Sequence, residues 1–305
     1  MAHVAPDPSE TCVLQNCCCV GLLLSPFCWT SFPDLIAELL TMSPDLMFWF
    51  ALTTKMAITA LFVSVATIIA ERLGAAVGAL VATLPVSAGP VYVFLALDHD
   101  ATFISASAVV SLALNAATAV FVTVYVLMAQ RRSLWISVSL AFTAWLATTL
   151  ALGPVHWTAP SAFVLNLAVF ALCWWIVRPF CLAPMPPTIR PWYDFLVRAG
   201  MVTLLVGAVV TLSFRIGPTG SGVLAVFPVI YTSIMVILHP RVGGPATAAV
   251  LANAVPGLAG FGAALLTLHL TAVPRGSALA LIVALGVSVA WNACLYATRR
   301  YESFA

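Results

Sequence analysis

The run LGAAVGALVATLPVSAGPVYVFLALDHD, from Leu73 to Asp100, decides how the chain is read. It is apolar and longer than the ~20 residues of helix that cross a bilayer. Yet Pro85, Gly89 and Pro90 stand near its middle, and it closes on Asp98, His99 and Asp100. A second run, GPTGSGVLAVFPVIYTSIMVILHPR from Gly217 to Arg241, repeats the design with Pro228 in the place of Pro85. Proline removes a backbone donor and crowds the preceding turn, so both runs are expected to be broken helices.

The rest of the chain agrees with a membrane setting. Of its 305 residues 63% are hydrophobic and 7% charged, and the mean hydropathy is +1.10. A soluble fold carries about a quarter charged residues and cannot hide this much apolar surface. The net charge of +2 and the lack of a basic stripe exclude a nucleic-acid partner. Long apolar runs without strict alternation point to helices, not to a barrel. The eight cysteines form no C-x-x-C pair, so neither a zinc site nor a redox motif is expected.

Nine spans are expected, at 47–70, 75–97, 102–128, 134–152, 160–178, 193–214, 218–239, 245–269 and 277–297. Residues 1–45 form a leader without the basic start of a signal peptide. Met42 and Met47 stand just before the first span, so the leader reads either as an upstream translation artefact or as a weak tenth helix. Residues 46–178 form a first membrane repeat with a linking helix, 179–192 a Pro-rich connector, and 193–305 a second repeat. Arg72, Arg131, Arg132, Arg178, Arg190, Arg241, Arg299 and Arg300 fall on one side, against Arg215 and Arg275 on the other. This bias makes the C-terminus cytoplasmic in a multi-pass protein of the cell (inner or plasma) membrane.

The repeat appears when the sequence is shifted by 143 positions. Trp49 meets Trp192, Arg72 meets Arg215, Gly74 meets Gly217, Pro85 meets Pro228, and Lys55 meets Arg198. Five spans separate the two copies, an odd number, so the copies are expected to be inverted relative to one another. Inverted repeats with broken helices in matching positions are a design of secondary transporters.

From Gly222 to Leu238 the second copy reads GVLAVFPVIYTSIMVIL, followed by a polar turn and small residues from Gly243 to Ala249. A glycine, a mid-span Phe-Pro pair and a Gly/Ala-rich helix resemble the small GlpM-type inner-membrane proteins. The likeness covers about a quarter of the chain, and the first copy departs from it with Leu84-Pro85. It implies a small helical membrane unit, here duplicated in tandem, and no catalytic residue.

The fold class expected is therefore an all-α polytopic membrane protein built from two inverted-topology repeats. Its function is expected to be transport of a small solute by alternating access; a non-transporting scaffold is the alternative, presenting Gly243, Gly244, Ala248, Gly257 and Gly260 to a partner. Lys55 and Arg198, at matching depths of opposite copies, admit an anionic solute, while snorkelling is their bland reading. Candidate solute contacts are Lys55, Pro85, Ser87, Gly89, Asn115, Arg198, Pro228, Tyr231 and Asn253. Embedded amides such as Asn115, Asn166 and Asn253 also serve as glue between helices. Asp98, His99 and Asp100 read as a solvated outer turn, on the side of His156 and His269. No catalytic residue, metal or cofactor is expected. The lipid bilayer and a solute are the expected partners, and homodimerisation is open.

Overall fold

A computed structural model describes residues 44–72, 88–182 and 193–302. Helix is the only extended regular structure among them. The elements are α1 (Pro44–Arg72), α2 (Ala88–Asp98), α3 (Ala101–Met128), α4 (Leu134–Leu152), α5 (Ala159–Val177), a 3-10 turn (Arg178–Phe180), α6 (Tyr193–Ala225), α7 (Val229–Val242), α8 (Gly244–Arg275) and α9 (Ser277–Glu302). Contacts divide the chain into Met1–Phe50 and Ala51–Ala305. Of the first unit, the described part is the helical stretch 44–50, with Leu46 to Phe50 exposed. The second unit holds the packed helices.

Among the described residues, seven helices are long and apolar enough to cross a membrane, which makes this a multi-pass membrane protein. The spans expected at 102–128, 134–152 and 160–178 agree with α3, α4 and α5 to within a residue. The run at 218–239, expected to be a broken helix, is broken at Pro228. Residues 218–225 close α6 beyond Gly217 (φ 65°, ψ −169°), and α7 starts afresh at Val229. Gly217 supplies a left-handed turn that L residues rarely adopt. Pro228 lacks the N–H that would join the two pieces. Pro85 and its surroundings lie outside the described residues, where only α2 represents the run quoted first.

α3 forms the centre. In its most apolar stretch 83% of the residues are buried, against 17–50% for the other candidate spans. It packs along α4, α5, α6 and, most extensively, α8. The order of its contacts gives the direction of its neighbours. Ser105 meets His269, Asn115 meets Leu258, and the Ala129 carbonyl abuts Gly244, so α3 and α8 run antiparallel. Ser111 meets Gly222, Thr118 meets Val226 and Tyr125 meets His239, so the broken segment 218–242 runs parallel to α3. Before Gly217 the chain runs the other way, with Asp194 beside Arg241 and Ser213 beside His99. The chain therefore doubles back at Gly217.

Element starts recur at the interval found in the sequence. Ala101 of α3 and Gly244 of α8 stand 143 positions apart, as do Leu134 of α4 and Ser277 of α9. Cross-packing recurs too: α2 lies against α9, and its counterpart α7 lies against α4. Two apolar clusters string along the α3/α8 pair, one around Leu95, Leu112 and Leu265, the other around Phe121, Tyr125 and Leu251. Large apolar side chains such as Leu61, Leu97, Trp135, Trp175, Leu204 and Ile282 face outward, as a lipid solvent permits.

Small residues set the closest approaches. A Cβ on Gly222 would stand 2.6 Å from the Ser107 carbonyl oxygen, and one on Gly262 would stand 2.6 Å from Asn166 Oδ1. A Cβ on Gly89 meets nothing within 4 Å. Gly222→Ala is expected to lower stability by about 1–3 kcal/mol through overpacking against backbone. Gly89→Ala is expected to be neutral or to stabilise by about 0.5 kcal/mol. Thermal unfolding of the detergent-solubilised protein separates the two.

Candidate functional site: a polar seam along α3

Ser107, Ser111 and Asn115 recur every four residues, so they share one face of α3, and Thr118 extends that face by a turn. All four are at least 97% buried. The face looks onto the re-entering segment at its break. Ser111 Oγ donates to the Gly222 carbonyl (2.8 Å) and accepts from the Tyr92 hydroxyl of α2 (2.7 Å). Thr118 Oγ1 donates to the Val226 carbonyl (3.0 Å). Around Pro228 the chain repairs its own ladder: Phe227 N–H reaches the Leu224 carbonyl, while Thr232 N–H and Oγ1 both reach the Pro228 carbonyl. An unwound segment at membrane depth survives only when protein answers its polar groups in this way.

Other polar atoms of the seam are left over. Ser107 Oγ and Ser221 Oγ are fully buried and have no hydrogen-bond partner. Asn115 Nδ2 donates to the Leu258 carbonyl (3.0 Å), but its Oδ1 is unanswered. Asn166 donates to the Leu112 carbonyl (2.7 Å), and Gly262 leaves room for both amides. Each unanswered buried hydroxyl or amide costs about 1–3 kcal/mol.

Ion pairs stand at the two ends. Beside the start of α3, Lys55 Nζ binds both carboxylate oxygens of Asp98 (2.5 and 2.6 Å). Next to it His99 stacks on Phe103 and approaches Phe214. Ser213 spends its hydroxyl hydrogen on the Val210 carbonyl, so His99 Nε2–H is the donor of the 2.9 Å bond to Ser213 Oγ. Asp100 caps α3, accepting from Phe103 N–H (2.9 Å) and Thr102 Oγ1 (2.7 Å). Beside the end of α3, Arg241 grips Asp194 with two nitrogens (2.5 and 2.7 Å), and Tyr125 meets His239 (2.7 Å).

The residues expected from sequence divide accordingly. Asn115 lies in the seam and Pro228 makes the break. Lys55 is held at one end by Asp98, so its charge is already answered. Arg198 sits half-buried on α6, one turn past Asp194. Gly89 lines an apolar cavity of about 490 Å³ with Ile58, Phe62 and Leu265. Tyr231 packs against the cluster around Phe121. Asn253 donates to the Cys181 and Ala249 carbonyls, tying α8 to the turn after α5. Pro85 and Ser87 fall outside the described residues. The solvated-turn reading of residues 98–100 is corrected: Asp98 and His99 are half-buried and engaged, and Asp100 alone is exposed. Among the described residues no three His, Cys, Asp or Glu gather as metal ligands. Tyr92, Ser107, Ser111 and Thr118 were missed, although the four-residue spacing in SAVVSLALNAAT was there to find.

No protein-family model matches the chain, and no match is found among curated proteins or solved structures.

Thr118→Val, which strands the Val226 carbonyl, is expected to cost about 1–3 kcal/mol, whereas Ser107→Ala removes an unpaired hydroxyl and is neutral or stabilising. Chemical denaturation in detergent reads both. Burial holds the His99 imidazole below its ordinary value of 6.5; Asp98 and Asp100 pull against that fall and Lys55 adds to it. The unfolded chain then binds the proton more readily than the folded one. His99 therefore contributes stability in full above its unfolded value, and that contribution is lost as pH falls below it. Melting temperature should drop from about pH 7 to about pH 5, and less steeply in His99→Gln.

Proposed function

We propose that this chain is a membrane transporter that passes a small solute along the α3 seam by alternating access between two inverted halves. The observation that carries this reading is the break at Val226–Pro228, answered from α3 by Thr118, on a segment that also buries the unpaired hydroxyl of Ser221, while Ser107 on α3 keeps another. Discontinuous helices beside polar groups at membrane depth are where secondary transporters bind their cargo.

The inversion has support of its own. α3 and α8 are equivalent under the 143-residue shift, and they cross antiparallel with Asn115 opposite Leu258, its own equivalent. Two equivalent helices that cross antiparallel at equivalent positions imply a two-fold axis perpendicular to them, which for spanning helices lies in the membrane plane. The matched starts of α4 and α9 and the reciprocal packing of α2 on α9 and α7 on α4 fit the same axis. The arginine bias supports a cytoplasmic C-terminus.

The chemistry of the seam favours a neutral, hydrogen-bonding solute over the anion that Lys55 and Arg198 suggested. Its groups are hydroxyls, amides, a phenol and backbone carbonyls, and Lys55 is held by Asp98. The scaffold reading is less well supported, because its small residues are used inside the chain. Gly244 abuts Ala129, Gly260 abuts Trp291, and Ala248 and Gly257 are buried.

Proteoliposomes carrying the intact chain should swell in a gradient of the right solute from a panel of small polyols, amides and carboxylates. Ser107→Ala with Ser221→Ala should cut the rate roughly tenfold, the effect of ~1.4 kcal/mol, with the fold retained. No swelling with any solute of the panel would defeat the reading.

A further inference from the structure

The two ion pairs occupy equivalent joints. Asp98 closes α2, Arg241 lies in the last turn of α7, and the two positions are equivalent under the 143-residue shift. Their partners are on the first helix of each half. Lys55 is on α1; its equivalent is Arg198, and Asp194 stands one turn before it on α6. In each half, then, one ion pair ties the end of a half-helix to the first helix of that half. The signs are reversed. In the first half the half-helix carries the acid, and in the second it carries the base.

The joints also lie at opposite ends of the seam. Asp98 precedes the start of α3 by three residues. Arg241 precedes the start of α8 by three residues, and that start abuts Ala129 just past the end of α3. α3 spans 28 residues, about 42 Å at 1.5 Å per residue. The hydrocarbon core is ~30 Å thick. Each pair therefore sits at one membrane boundary, where its side chains keep 15–23% of their accessible surface. A buried pair is locked by desolvation and a fully exposed pair holds little, so this intermediate exposure suits a contact that opens and closes.

We propose that Lys55–Asp98 and Asp194–Arg241 are latches of reversed polarity on the two mouths of the seam, each releasing its own half-helix to admit water and solute from one face. This rests on the transport reading. Both are closed in this structure, and between them the unpaired hydroxyls of Ser107 and Ser221 are sealed from either side.

The test uses the whole chain in vesicles of defined orientation. Its eight cysteines are replaced by Ala, and Ser221→Cys reports access to a membrane-impermeant maleimide; Ser107→Cys is a second reporter should the first not fold. Lys55→Met is expected to raise the modification rate about tenfold, a ~1.4 kcal/mol shift, from the face where α3 begins, and not from the other. Asp194→Asn is expected to do the same from the opposite face alone. Asp98→Asn reads the first latch if Lys55→Met fails to insert. The charge swap Lys55→Asp with Asp98→Lys should return the rate to that of the parent. The latches are overturned if both single changes open the same face, if neither opens any, or if the swap does not restore closure. Swelling is measured on vesicles that carry the same latch changes with Ser107 and Ser221 intact. Swelling that persists without side-specific labelling defeats the latches and leaves transport standing. Side-specific labelling without swelling keeps the latches and defeats transport.

Discussion

The antiparallel contact between α3 and α8 governs the arrangement of the other helices. These two carry the most buried candidate spans, and each is flanked by its sequence successor, α4 beside α3 and α9 beside α8. Lipid tails are as apolar as leucine, so burial of apolar surface alone cannot hold two helices together there. Close packing and hydrogen bonds must do it. Gly262 leaves room for the Asn115 amide, which spends a hydrogen on the Leu258 carbonyl. Ser105 and His269 close one end of the pair, and the approach of Gly244 to Ala129 closes the other. Once this pair is set, the half-helices have little choice of place, α7 beside α4 and α2 beside α9.

The same constraint explains where the polar atoms are. A chain with 7% charged residues has few to spare. Many of its hydroxyls are absorbed locally: Thr123, Thr148, Thr211, Thr247 and Thr267 each return a hydrogen bond to the carbonyl four residues earlier. The seam differs. Ser111 and Thr118 reach across to the carbonyls of another element, and Ser107, Asn115 and Ser221 keep an atom that reaches nothing. Unanswered buried atoms also occur at Trp145, Thr149, Thr203 and Ser288, but those of Ser107, Asn115 and Ser221 stand on the two elements that meet where the chain turns at a left-handed glycine and then breaks at a proline. Backbone irregularity and polar surplus in one place are what make the seam a candidate site rather than a packing interface.

Much of the fold was legible because lipid imposes simple rules. Apolar runs of bilayer length must be helices, and the mid-span Pro228 marked one of them as broken. The helices at 101–128, 134–152 and 159–177 follow from those rules almost residue by residue. The candidate site was legible only in part. Asn115 and Pro228 could be named because an embedded amide and a mid-span proline are conspicuous. Ser107, Ser111 and Thr118 could not be told from ordinary helical hydroxyls until the Gly222 and Val226 carbonyls stood opposite them.

Lys55 and Asp98 mark the boundary between the two kinds of knowledge. The sequence by itself determined that Lys55 lies inside a span and that Asp98 ends another, because these are matters of length, hydropathy and spacing. That the two side chains meet at 2.5 Å, and that Asp194 rather than Arg198 takes the matching part opposite Arg241, only the tertiary structure decided. The reason is physical. Hydropathy fixes how deep a residue lies along the membrane normal, but it carries no information about rotation around that normal. Which face of one helix turns toward another is set by side-chain packing and by the need to answer each buried polar atom, and both exist only once the helices are assembled.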